Sequence, residues 1–205
     1  MLDRRTFLIA AIGTLLSTDQ TLAFFHKRKQ KKRKKTPANK KAAPFRLDPK
    51  FEPQRVTYGE GNYPSGSIVI DPENRFLYFM EDETSATRYG VGVGRAGMSM
   101  RGTAYVARKA KWPTWSPTEN MIRREPRYAR YVGGMPGGPN NPLGARALYL
   151  YRGSTDTMYR IHGTNQPRSI GHAMSSGCIR MLNDHVEQLY EKAAVGTLVV
   201  ILKPA

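Results

Sequence analysis

The 205-residue sequence is poor in cysteine, with Cys178 alone, and in histidine, with four. One thiol forms no disulfide within a chain and no zinc site built mainly from cysteines. Acidic residues are also scarce, 16 against 33 Lys+Arg, for a formal charge of +17. A ten-residue apolar stretch, Phe7 to Leu16, is broken only by Gly13 and Thr14. It is too short for a helix crossing a bilayer, which takes about 20 residues. Apolar residues make up 40% of the chain, enough for the core of one ordinary domain. The excess of positive charge calls for an anionic partner: nucleic acid, anionic lipid or an acidic polymer.

The charge is unevenly spread. Arg4-Arg5 followed by Phe7-Leu8 resembles a twin-arginine export signal, and Thr21-Leu22-Ala23 offers small residues for cleavage after Ala23. Residues 1–23 are therefore expected to be a signal peptide and the protein to be exported to the periplasm or cell envelope. Ten Lys and Arg follow between Lys27 and Lys41 without one acid, leaving +7 for residues 42–205. Like charges at this density repel and keep a segment unfolded. Residues 24–54 are expected to be a disordered basic tail and a proline-containing linker, and residues 55–205 the domain. The tail suits anionic wall polymer or a membrane surface through residues 27–41, or is a solvated tether. It carries no interleaved aromatics for base stacking, and export removes nucleic acid as a partner.

Within the domain, Ile68-Val69-Ile70 and Phe76–Met80 flank Asp71-Pro72-Glu73-Asn74, the pattern of a hairpin. Residues 147–151 and 157–161 flank a second turn, and 89–93, 104–107 and 197–202 read as further strands. Helices are expected only at about 118–125, stopped by Pro126, and at about 184–193, capped by Asn183 or Asp184 and closed by Gly196. Short strands with Gly and Pro punctuation predict a mainly β sandwich or barrel with one or two short helices. Gly92-Val93-Gly94-Arg95-Ala96-Gly97 fits G-x-G-x-x-G, but no helix start follows it, so a glycine-rich strand and turn is the reading. No cofactor is called for.

The chemistry concentrates in Ile161-His162-Gly163-Thr164 and Ser175-Ser176-Gly177-Cys178-Ile179-Arg180-Met181. A strand ends at His162, and a loop folding back would bring the thiol 16 positions later beside the imidazole. Thiolate is the attacking form, and a thiol of pKa about 8.5 needs a base to reach it at neutral pH. His162 is the candidate base and acid, and Cys178 the candidate nucleophile. The amides of Gly177 and Cys178 are candidate oxyanion donors. Arg180 is a candidate for holding the thiolate or a substrate carboxylate. By spacing alone the pair is suggestive and no more.

These two segments, together with Asn183, resemble the active-site signature of the L,D-transpeptidase (YkuD-like) catalytic domain. The likeness extends to Ile68–Asp71, Phe76–Tyr78, Trp112–Trp115, Gly137–Pro139 and Asn141–Gly144, over roughly residues 55–203. It implies a mainly β domain working on peptidoglycan stem peptides, with Cys178 as nucleophile and His162 as base. It also implies that the backbone carbonyl of Gly163 orients the base. Ser176 stands where many members have histidine, which leaves any part of that position in substrate binding open. Arg180 stands where a common variant has Asn.

The remaining singular residues have bland alternatives. His172 and His185 lie near the motif, but their spacing matches no zinc pattern, so no metal is expected. His172 is expected in a loop and His185 on a helix surface. Trp112 and Trp115 either pack a long loop or stack on sugar rings.

Overall fold

The computed structural model describes residues 45–94, 100–174 and 178–203. The signal peptide expected at residues 1–23, the basic segment at 27–41, Ser176 and Gly177 lie outside them. Eleven strands join in one sheet. They are β1 Gln54–Thr57, β2 Ile68–Asp71, β3 Phe76–Met80, β4 Ser85–Gly90, β5 Gly92–Gly94, β6 Gly102–Lys111, β7 Arg146–Arg152, β8 Thr155–His162, β9 Ala173–Met174, β10 Ile179–Arg180 and β11 Leu198–Ile201. The described residues also hold two α-helices, α1 Glu119–Arg124 and α2 Asn183–Lys192, and three short 3-10 segments. The order across the sheet is β1-β4-β3-β2-β11-β6-β7-β8-β10-β5-β9. The expected mainly β fold with few short helices is what forms.

Both expected hairpins are present. β2 pairs antiparallel with β3, and the Asp71 carboxylate accepts from the backbone and side-chain N–H of Asn74 to close the turn. β7 pairs antiparallel with β8. Two pairings were beyond local pattern. β11 inserts parallel to β2 at the middle of the sheet, and β10 lies parallel to β8. β2 is buried throughout, which explains why it reads as an apolar run rather than an alternating one, whereas in β11 Val199 and Ile201 are buried and Leu198 and Val200 are half-buried. The expected strand at 89–93 is split at Val91, with Tyr89 and Gly90 in β4 and Gly92 and Val93 in β5.

The larger core lies on one face, and a smaller cluster of Tyr58, Val69, Met80 and Ala86 lies apart from it. Ile68, Ile70, Leu77, Val93, Val106, Leu148, Leu150, Ile161, Ile179 and Met181 meet Val186 and Leu189 of α2. Lys109 reaches out on this face and its ammonium donates to the carbonyls of Tyr190 (2.5 Å) and Ala193 (2.6 Å), fastening the C-terminal end of α2. The N-terminal side differs from the linker expectation. Pro49–Phe51 forms a 3-10 turn capped by Asp48, and β1 pairs with β4. Phe51 is buried and lies so close over Gly90 that a Cβ there would meet Phe51 Cβ at 2.3 Å and Cα at 2.7 Å. The chain is ordered here because an aromatic side chain docks, a signal that the prolines on either side mask. Pro126 likewise does more than stop α1: it opens a 3-10 helix, Pro126–Tyr131.

Gly90→Ala is expected to cost about 2–3 kcal/mol, because its Cβ overlaps backbone and not only a yielding side chain. Urea unfolding measures this. A change below about 0.5 kcal/mol contradicts the docking of Phe51.

Candidate active site

Register sets the site. β8 and β10 run parallel with Ile161 opposite Ile179 and His162 opposite Arg180. Side chains alternate along strands. Ile161, Ile179 and Met181 enter the core, so His162 and Arg180 share the outer face. Cys178 directly precedes β10, and its carbonyl continues the ladder by accepting from Gly94 N–H at 3.2 Å. Two residues from Arg180, it belongs to the same outer face, diagonal to His162. Diagonal neighbours on adjacent strands lie about 7–8 Å apart at Cα, within reach of long side chains. The thiol residue is half-buried and His162 is 4% exposed.

His162 Nδ1 lies 2.6 Å from the Gly163 carbonyl. A carbonyl oxygen only accepts, so Nδ1 carries the proton and Nε2 keeps its lone pair. Burial first, and the Arg180 charge second, bring the imidazole down to about 4 from its ordinary 6.5, against the pull of the Gly163 carbonyl. Burial also pushes the Cys178 thiol up, opposed by a backbone hydrogen bond from Arg160 and by the charges of Arg160 and Arg180. Burial thus favours the neutral form of both the thiol and the imidazole.

The groups holding the base in place come from three elements. Asn183, the first residue of α2, was expected to cap that helix. The N-cap is Leu182 instead, without a side-chain bond. Asn183 Oδ1 turns back to accept from Ala145 N–H and Thr164 N–H, both 3.1 Å. A Cβ on Gly163 would fall 2.3 Å from that oxygen, so glycine is required next to His162. The carbonyl that orients the imidazole is thus fastened by a side chain 21 positions from His162. Sequence reading placed Asn183 within the motif but gave it the wrong task. The 3.6-residue period marks where a helix starts, not which backbone an Asn reaches.

Residues 113–141 form a folded flap beside this face. Asn141 Nδ2 donates to the carbonyls of Pro113 (3.1 Å), Met135 (3.0 Å) and Pro136 (3.0 Å). Trp115 is buried against the rings of Tyr128 and Tyr131, so packing is its role. Trp112 is 45% exposed. Arg180 Nη1 donates to Gln166 Oε1 at 3.3 Å, and Arg180 also feels the Tyr128 hydroxyl of the flap.

His172 sits in a bend, its Nδ1 donating to the Ile170 carbonyl at 3.0 Å, as a loop position allows. His185 departs from expectation. It is 5% exposed, not on a helix surface, with Nε2 3.3 Å from a carboxylate oxygen of Glu52 and its ring near Tyr89. The Phe51–Glu52 segment covers that helix face, which no helical pattern reveals. Among the described residues no group of three His, Cys, Asp or Glu converges as a metal site.

Asn183→Ala is expected to cost about 2 kcal/mol, for two part-buried amides that lose their acceptor. Asn183→Asp keeps an acceptor oxygen and retains most of that stability. Chemical denaturation of both variants checks this, and equal losses would remove the role given to Oδ1.

Residues 65–201 match the YkuD family, described as the L,D-transpeptidase catalytic domain. The chain is 36% identical over 140 residues to "Probable L,D-transpeptidase ErfK/SrfK" of Escherichia coli strain K12, across 67% of this chain and 44% of that protein. It therefore spans under half the length of that curated relative. A solved structure from Brucella melitensis, described as a probable carnitine operon oxidoreductase, is 52% identical with a TM-score of 0.53, covering 76% of this chain and 96% of that one. L,D-transpeptidase 3 from Mycobacterium tuberculosis shares the fold at 14% identity and a TM-score of 0.50, covering 68% and 62% of the two chains. Because the matched span runs from β2 through β11 and takes in His162, Cys178 and Asn183, the chain belongs to the L,D-transpeptidase catalytic domain family.

Proposed function

We propose that this protein is a peptidoglycan L,D-transpeptidase that acts outside the cytoplasm through Cys178 and His162. The observation that carries the reading is the β8–β10 register, with His162, Arg180 and Cys178 on the outer face of the sheet. The family assignment and the relative named a probable L,D-transpeptidase support the substrate class.

The reaction divides into two acyl transfers. A stem peptide enters beside the thiol, and His162 Nε2 takes the Cys178 proton as sulfur attacks the carbonyl of the third stem residue. The amides of Gly177 and Cys178 serve the tetrahedral oxyanion. The imidazolium, held through Nδ1–H by Gly163, returns its proton to the departing amine of the terminal D-alanine. A thioester remains on Cys178. An amine then attacks it, His162 accepting its proton, and an amide forms as the thiol is restored. A second stem as acceptor gives a 3→3 cross-link, a protein lysine gives anchoring, and water gives L,D-carboxypeptidase activity. Arg180 favours the thiolate and faces incoming carboxylates, and Ser176 is assigned to substrate binding by its place in the motif. The basic segment at 27–41 holds the protein to anionic wall polymer or a membrane surface.

An imidazole with pKa near 4 is unprotonated at neutral pH, so its lone pair is open, but it is a weak base and takes the thiol proton only as the bound peptide and the attack stabilise the imidazolium. Burial keeps the resting thiol protonated, so attack calls on His162 to accept its proton. The oxidoreductase name of the Brucella relative has no counterpart in the glycine pattern here. Gly92–Gly94 is strand β5, flanked by β10 and β9, and the next described segment, from Met100, leads into strand β6.

Cys178→Ala is expected to abolish D-alanine release from a disaccharide-tetrapeptide, and intact mass spectrometry of the parent protein should show a thioester adduct. Release that persists in the variant overturns the reading. In the resting protein, alkylation of Cys178 by iodoacetamide should rise with pH to a midpoint above the ordinary thiol value of about 8.5. A midpoint below 7 would instead indicate a preformed thiolate–imidazolium pair.

A further inference from the structure

The outer face holds a row of side chains that leads away from Cys178 and whose other members none of these steps uses. Cα pairing sets Arg108 of β6 opposite Tyr149 of β7, and Tyr149 opposite Arg160 of β8. One step back along β10 from the Ile179–Ile161 pair brings Cys178 opposite Arg160. The row Arg108, Tyr149, Arg160, Cys178 thus crosses four strands, three strand spacings or about 14 Å. Its neighbours along the strands, Leu148, Leu150, Ile161 and Ile179, are in the core, so the row points away from it. Both guanidinium groups stack on one ring, with Arg108 Cζ 3.4 Å and Arg160 Cζ 4.4 Å from the Tyr149 centroid.

The two arginines are in different states. Arg160 is mostly buried and committed to Asp156 in a two-pronged pair, 2.7 and 2.8 Å, while its charge still reaches Cys178 and His162. Arg108 is exposed, and no acidic side chain among the described residues pairs with it. Stacking fixes the plane of its guanidinium and leaves the N–H edge free, the edge that matches a carboxylate in a fork. Because the ring has already restricted the side chain, less entropy is lost when an anion docks.

We propose that Arg108, oriented by Tyr149, is a carboxylate-binding subsite that reads a free acidic group on the acyl-donor peptide, on the side away from the departing residue. The guanidinium lies over the Tyr149 ring, two strand spacings or about 10 Å from the thiol's place in the row. An extended peptide advances about 3.3–3.6 Å per residue, so about three residues cover that distance. The ligand class is therefore a short acidic peptide whose carboxylate lies within about three residues of the carbonyl attacked. The proposal rests on the transpeptidase reading for its substrate, and binding can test it apart from turnover.

Two tetrapeptides serve as probes, identical except that the acidic groups other than the C-terminal carboxylate are free in one and amidated in the other. Calorimetry on the Cys178→Ala protein should show about tenfold tighter binding of the acid form, the size of one charge-assisted contact. The preference should shrink as salt rises. Adding Arg108→Gln should erase it by weakening the acid form alone, and Tyr149→Leu should erode it by freeing the guanidinium. In the active enzyme Arg108→Gln should raise KM for the acid peptide about tenfold and leave kcat unchanged. Equal affinity for the two peptides, a preference that survives Arg108→Gln, or no binding of either peptide overturns the subsite. If the active enzyme releases no D-alanine while the acid preference is intact, the transpeptidase reading falls and the subsite stands.

Discussion

The parallel contact between β8 and β10 is the constraint on which the site depends. Ile161 and Ile179 are paired and both belong to the core. Burying those two isoleucines forces His162, Arg180 and Cys178 to the opposite face. A slip of one residue would turn the thiol into the core and bring Ile179 out, because the side-chain period of a strand is two. The free energy of the apolar core therefore specifies the chemistry on the other side of the sheet. Burying an isoleucine side chain is worth about 1.5–3 kcal/mol, so two of them against a polar alternative fix the register decisively.

Electrostatics on the outer face follow from that register. Arg160 and Arg180 are the neighbours of Cys178 and His162, and both cations act on both titrating groups. They favour the thiolate and disfavour the imidazolium, and burial disfavours each charged form. For His162 the two effects point the same way, and the imidazole stays neutral far below its usual range. For Cys178 they oppose each other and burial is the larger. The base is therefore strongly committed to its unprotonated state, and the nucleophile waits for a partner to take its proton. The Gly163 carbonyl resolves what would otherwise be ambiguous, which nitrogen is free, by accepting from Nδ1.

Much of this was legible in the sequence because it is local. The hairpins at 68–80 and 146–162 announce themselves through β-rich runs around Asp-Pro and Gly-containing turns, and the final strand through Leu198–Ile201. The His–Gly–Thr and Ser–Gly–Cys segments pointed to a nucleophile and base by residue type, and the family likeness gave each a role. The illegible parts are contacts distant along the chain. Asn183 has the composition of a helix cap, and only the approach of Gly144 and Gly163 shows that it serves two loop amides. His185 has the spacing of a surface position until Glu52 and Phe51 are folded over it. Phe51 looks like linker because Pro49 and Pro53 bracket it. Parallel insertion of β11 beside β2, about 130 positions apart, leaves no periodic trace in either strand.

The stretch between His162 and Cys178 shows why so much distant structure is needed. Parallel neighbours demand a crossover of a dozen residues or more, commonly built on a helix that packs its own apolar face. Here the crossover has sixteen steps and only a short 3-10 turn, Pro167–Ser169, among its described residues. Among its described residues Thr164, Ser169 and Ile170 are buried, and hydrogen bonds to the sheet brace it further. Gly171 N–H donates to the Val91 carbonyl, and the His172 carbonyl accepts from Val93 N–H. Ala173 and Met174 then add β9 to the edge beside β5. The Phe51 ring lies against Gly171, where a Cβ would come within 2.2 Å of it. The break between β4 and β5 at Val91 has its purpose here. Turning the strand aside at that point offers its backbone groups to the crossover, and that tie carries the chain back to Cys178 on the correct face.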